Sequence, residues 1–148
     1  PPSPIRCYNH KEIYGEVTQL DNGWLDIRLN ALLPNCRMIG GTQYIFDTIT
    51  RLLDGYRDKG GILQRYDKAY MAIVEHCPME RTGTFDNDNK GFRGVINALK
   101  GRMFKDDNQF ELALGMFTVL DEDICCHIYV LPFDEAGDFH YQMSSKML

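Results

Sequence analysis

A chain of 148 residues, 44% hydrophobic and 25% charged, is the size of one domain and long enough to enclose a core. Its formal net charge of −5 argues against a protein that coats nucleic acid over its whole surface. No apolar run is long enough to span a membrane, and five cysteines without CxxC spacing imply free thiols in a reducing, cytoplasmic compartment.

Residues 1–11, with prolines at 1, 2 and 4, predict an irregular arm. This start has no signal-peptide pattern and no initiator Met, which implies residues upstream. Ile13–Leu20 and Trp24–Leu33 predict strands around Asp21-Asn22-Gly23, because an Asn-Gly turn between such runs is a strong hairpin signal. In the second run Trp24, Asp26, Arg28 and Asn30 alternate with Leu25, Ile27, Leu29 and Ala31, and Pro34 ends it. Thr42–Arg57 predicts a helix with Ile45, Phe46, Ile49, Leu52, Leu53 and Tyr56 on one face. Thr42 is its expected N-cap and Lys59-Gly60-Gly61 its stop.

Tyr70–His76 is apolar and partly β-branched, a strand broken by Pro78, and Glu80–Thr84 reads as a polar loop. Phe92, Val95, Ile96 and Leu99 have helical spacing, and Gly101 ends that helix. Phe110–Leu120 and Ile124–Leu131 read as strands joined by Asp121-Glu122-Asp123 in a second hairpin. Residues 132–148 read as a loose polar tail. The order β-β-α-β-α-β-β predicts a single α+β domain, residues 1–148, with a mixed or antiparallel sheet and two main helices. Cys77 and one of Cys125 and Cys126 are expected to be buried in strands.

Charge is unevenly spread. Residues 1–83 carry ten basic and ten acidic residues, whereas 121–138 carries six acids and no base. Between Thr84 and Asp107, the acids Asp86, Asp88, Asp106 and Asp107 enclose Lys90, Arg93, Lys100, Arg102 and Lys105. An EF-hand starting at Asp86 fails, because position five would be Lys90 and position twelve Asn97. Asp and Asn are also favoured turn residues, and Asp88 or Asn89 can simply cap the helix that begins near Gly91. The alternative is chemical. A strand, an acidic loop and a helix of about three turns would return Asp107 beside Asp86 and Asp88 at one sheet edge. Three carboxylates there suit Mg²⁺ or Mn²⁺, and Arg93, about one turn into the helix, suits a phosphate.

The pattern D-x-D-N, then a short helix ending in A-L, then D-D before a strand, resembles the RusA-type Holliday junction resolvases. Its residues here are Asp86-Asn87-Asp88-Asn89, Asn97-Ala98-Leu99 and Asp106-Asp107. The likeness extends over roughly residues 24–131, and its specific part is 84–107. It implies a small dimeric, Mg²⁺- or Mn²⁺-dependent endonuclease acting on branched DNA, of the kind found in bacteria, phages and mobile elements. Asp86, Asp88 and Asp107 would match the metal-binding aspartates, with Asp106 a helper. Arg93 or Lys90 would stand where the family has a catalytic lysine. Lys90, Arg93, Lys100, Arg102 and Lys105, with Arg81 upstream, would contact DNA. An arginine holds phosphate but is a poor proton donor. A catalytically degenerate DNA- or protein-binding relative is therefore the alternative implied, with the acidic 121–138 segment as its contact.

His76, Cys77, Cys126 and His127 sit on predicted strands without paired ligand spacing, which favours structural roles over a zinc set. His10 and His140 are expected in solvent. Tyr44, Phe46 and Tyr56 read as helix packing, and Phe92 either packs or wedges into an opened junction.

Overall fold

The computed structural model describes residues 12–34, 40–79 and 91–148. The predicted arm lies outside these residues. Strand β1 (Gly15–Gln19) turns at Asp21-Asn22-Gly23 into β2 (Leu25–Leu29). Gly23 takes φ +94°, a backbone that disfavours any side chain, and Asn22 Oδ1 accepts the Trp24 N–H at 3.1 Å. Helix α1 (Gly41–Asp58) follows. It is capped by Gly40 at φ +82°, two residues before the expected cap, so Thr42 stands inside the helix. Then come β3 (Ala69–Cys77), α2 (Phe92–Leu99), β4 (Leu112–Leu120), β5 (Cys125–Pro132) and α3 (Ala136–Ser144).

The protein is an α+β fold around a five-stranded mixed sheet of order β1-β2-β5-β3-β4. β3 and β4 pair in parallel, and the other neighbours are antiparallel. The expected second hairpin does not form. β4 leaves from the edge, and the turn at Asp121 passes over the end of β3, with Asp121 N–H donating to Cys77 O at 3.0 Å. β5 then returns on the far side of β3. The physical reason is the α2 crossover, which lays β4 parallel on one side of β3 and leaves the other side for β5.

Alternation divides the sheet into two faces. In register, Ile27, Ile128 and Ile73 align across three strands, as do Leu25, Val130 and Met71. All six are buried under α1 and α2. α1 supplies Ile45, Ile49 and Leu53, four residues apart, and α2 supplies Val95, Ile96, Ala98 and Leu99. The helices touch at Gly94, where a Cβ would collide with Ile45 and with the carbonyl of Thr42. Gly94→Ala is therefore expected to destabilise the fold by about 1–3 kcal/mol, read as a lower urea midpoint. An unchanged midpoint would refute this close approach.

The segment expected to be a loose tail is structured. Helix α3 lies on the other face and buries Phe139 among Trp24, Tyr70, Phe117 and Tyr129. Among the described residues no helix is long and apolar enough to cross a membrane.

Candidate metal and nucleic-acid site

β3 ends at Cys77 and α2 begins at Phe92, so Arg81, Asp86, Asp88 and Lys90 lie outside the described residues. The rest of the predicted site is described. Gly91 N–H donates to Pro34 O at 2.7 Å, which fixes the start of α2 beside the chain leaving β2. With its apolar stripe in the core, α2 leaves Arg93, Asn97 and Lys100 exposed at helical spacing. Gly101, at φ +83°, turns the chain. Phe104, fully buried, and the Tyr66 N–H to Met103 O bond at 2.8 Å anchor the return to the sheet.

Asp106 and Asp107 follow, both exposed. Lys100 Nζ lies 3.8 Å from Asp106 Oδ1 and 3.6 Å from Asp107 Oδ1. Asp106 Oδ1 also accepts the Asp107 backbone N–H at 2.8 Å. That backbone hydrogen bond, more than the nearby lysine, holds the Asp106 carboxyl below its ordinary pKa. One carboxylate is thus engaged in its own turn. The other lies beside it and meets the flexible stem of Lys100 in a contact that solvent screens.

The remaining cations divide. Arg102 donates to Asp54 at 2.9 Å and is tied to α1. Arg93 and Lys105 are exposed and make no ion pair among the described residues. Phe92 packs partly against the core beneath this surface. The parallel register pairs Ala69 with Leu112, so Asp107 stands at the end of the sheet where β3 begins. Gly91 stands near the opposite end, one α2 length away, about 12 Å.

No protein-family model matches the chain, and no curated protein matches it.

The zinc set considered from sequence does not assemble as named. His76 and His127 lie on the α3 face of the sheet, whereas Cys126 belongs to the core under α1 and α2. Cys77, one residue from His76 on β3, falls on the opposite face from it. Cys125 alternates with Cys126 and comes to the histidines instead. One potential ligand atom from each of His76, Cys125 and His127 lies within 4.8 Å of the others. All three described cysteines, Cys77, Cys125 and Cys126, are buried.

Each histidine has a carboxylate partner. His127 Nδ1 is 2.9 Å from Asp26 Oδ1, and His76 Nδ1 is 3.2 Å from Asp121 Oδ2. Asp121 is lowered in pKa chiefly by the Asp123 backbone N–H and next by His76. The Cys125 thiol is pushed up, mainly by burial, against the opposing pull of Arg28. The sequence held a signal for this cluster. Cys125, His127 and Tyr129 alternate with Cys126, Ile128 and Val130, so period two alone separates the two cysteines. His140 is exposed, as expected, and hydrogen-bonds through Nε2 with the Tyr70 hydroxyl at 2.8 Å.

Proposed function

We propose that this chain is a RusA-like, metal-dependent endonuclease that hydrolyses phosphodiesters in branched DNA in a cytoplasmic setting. The observation that carries the reading is the exposed line Arg93, Asn97 and Lys100 along α2, which leads to Asp106 and Asp107. This is the described half of the D-x-D-N, helix, D-D pattern. Its donor set is all carboxylate oxygen, which fits a hard cation such as Mg²⁺ or Mn²⁺. On this reading Asp107, with Asp86 and Asp88, holds the ion.

The chemistry a bound Mg²⁺ supplies is a more acidic water and neutralised charge at the attacked phosphate. The chain's own groups position the DNA. Arg93, free of ion pairs among the described residues, takes a phosphate through its guanidinium fork. Lys90 is the alternative candidate for that role. Lys105 extends the cationic surface. Lys100 keeps the two carboxylates from repelling each other and from repelling DNA, and Arg102 contributes only after leaving Asp54. With so few free cations, binding weakens steeply with salt and gains from a second subunit. The outer edge of β4 supports such a homodimer. It is unpaired among the described residues and exposes Leu114 and Leu120, so a two-fold copy can extend the sheet there.

The test is a labelled four-way DNA junction incubated with Mg²⁺, Mn²⁺ or EDTA. Paired nicks are expected with metal and not with EDTA. Asp88→Asn is expected to bind the junction at least as tightly while losing cleavage. Binding without cleavage in either metal would favour the degenerate module and point to Arg93. Neither binding nor cleavage would overturn the nuclease reading.

A further inference from the structure

We propose that His76, Cys125 and His127 form a second metal site, for a borderline-soft transition-metal ion of the zinc type. It is separate from the hard-cation site of the nuclease reading and does not depend on it.

The ligands sit on two interior strands of the sheet. His76 and Cys125 are direct cross-strand partners, and His127 lies two residues further along β5, on the same face. Strands hold such positions more rigidly than loops do. A tetrahedral zinc ion with bonds of about 2.0–2.3 Å separates its ligand atoms by about 3.3–3.6 Å. One potential ligand atom of each residue lies within 4.8 Å of the other two, so closing on an ion requires side-chain rotation.

The surroundings of the histidines favour a metal over three unrelated side chains. Each Nδ1 is engaged by a carboxylate, Asp26 for His127 and Asp121 for His76. That contact fixes the tautomer with the proton on Nδ1, which leaves Nε2 as the lone-pair donor. A carboxylate behind a histidine is the usual support of a histidine–zinc bond. Two independent His–Asp pairs would account for each histidine but not for their convergence, rings 5.6 Å apart, on a buried thiol. The donor chemistry also discriminates. Two imidazoles and a thiolate suit zinc and its neighbours, and Mg²⁺ takes oxygen. On binding, Cys125 gives its proton to solvent and becomes the thiolate ligand.

A cavity of about 320 Å³ adjoins His76 and is lined also by Val74, Val119, Tyr129, Met143 and Lys146. Three protein ligands with an open fourth position describe a site that takes water or a small ligand.

The test is spectroscopic titration of the full chain with Co²⁺, followed by Zn²⁺. We expect one equivalent of Co²⁺ to give a thiolate-to-cobalt charge-transfer band with tetrahedral d–d bands. Zn²⁺ should displace it, and excess Mg²⁺ should not. Cys125→Ser should remove the charge-transfer band, while Cys126→Ala, changed on the core face, should keep it. Asp26→Asn, which leaves all three ligands in place, should weaken binding about 10–100-fold. Asp107→Asn should leave the spectrum unchanged, so failure of the nuclease reading would not mimic failure here. Absence of the band, or its survival in Cys125→Ser, would overturn the proposal.

Discussion

Asp107→Asn is expected to reduce metal-dependent junction cleavage at least about 100-fold, while Asp106→Asn stays within about tenfold of the parent. The difference follows from the turn. Asp106 Oδ1 accepts the Asp107 N–H at 2.8 Å, and an asparagine keeps an oxygen there to do the same. Asp107 accepts no backbone hydrogen bond among the described residues; its carboxylate lies beside that of Asp106 and makes the screened contact to Lys100 at 3.6 Å. Its carboxylate is the one free to turn toward a cation. A metal ligand contributes several kcal/mol at the transition state, and each 1.36 kcal/mol is tenfold in rate. Losing about 3 kcal/mol therefore gives the stated loss. Both residues are exposed, so neither change should move the thermal midpoint appreciably. Equal losses in both variants, or greater loss in Asp106→Asn, would refute the assignment of Asp107.

What could be read in advance depended on whether the cause was local. The extent of α2 was legible because Phe92, Val95, Ile96 and Leu99 write the helical period and Gly101 supplies the left-handed stop. The first hairpin was legible because an Asn-Gly turn carries its own geometry. The second was misread because Asp121-Glu122-Asp123 says only that the chain turns, and not which strand it turns toward. A clue lay in β3, whose residues Ala69–Glu75 are buried on both faces, as suits a strand with neighbours on each side. Of the candidate site, the acidic pair after a short helix could be read from the sequence. Which of the two carboxylates is engaged, and that Arg102 is committed to Asp54, depended on turn and tertiary geometry. The cluster on the opposite face needed the β3–β5 register as well as alternation. Only that register sets Cys125 opposite His76.

Residues 132–148 were misread for the same reason, and their docking gives a second large expected effect. Phe139→Ala should destabilise the fold by about 3–5 kcal/mol. The segment is polar by composition, and its single fully buried side chain has partners far away in sequence. The Phe139 ring lies 5.4 Å from Tyr129, 5.8 Å from Tyr70, and 5.9 Å from both Trp24 and Phe117. These tilted and edge-on contacts suit aromatic rings. Two hydrogen bonds hold the helix over them, Trp24 Nε1–H to Glu135 Oε1 at 2.7 Å and the Tyr70–His140 bond at 2.8 Å. Removing the ring leaves a void that these aromatics close only in part, because both hydrogen bonds fix the helix above the sheet. Tyr141→Ala, on the exposed side of the same helix, should change stability by no more than about 0.5 kcal/mol. Urea denaturation of the two variants separates docking from helix formation, since both lose a ring from the same helix. Equal shifts would mean that α3 does not stabilise the sheet through Phe139.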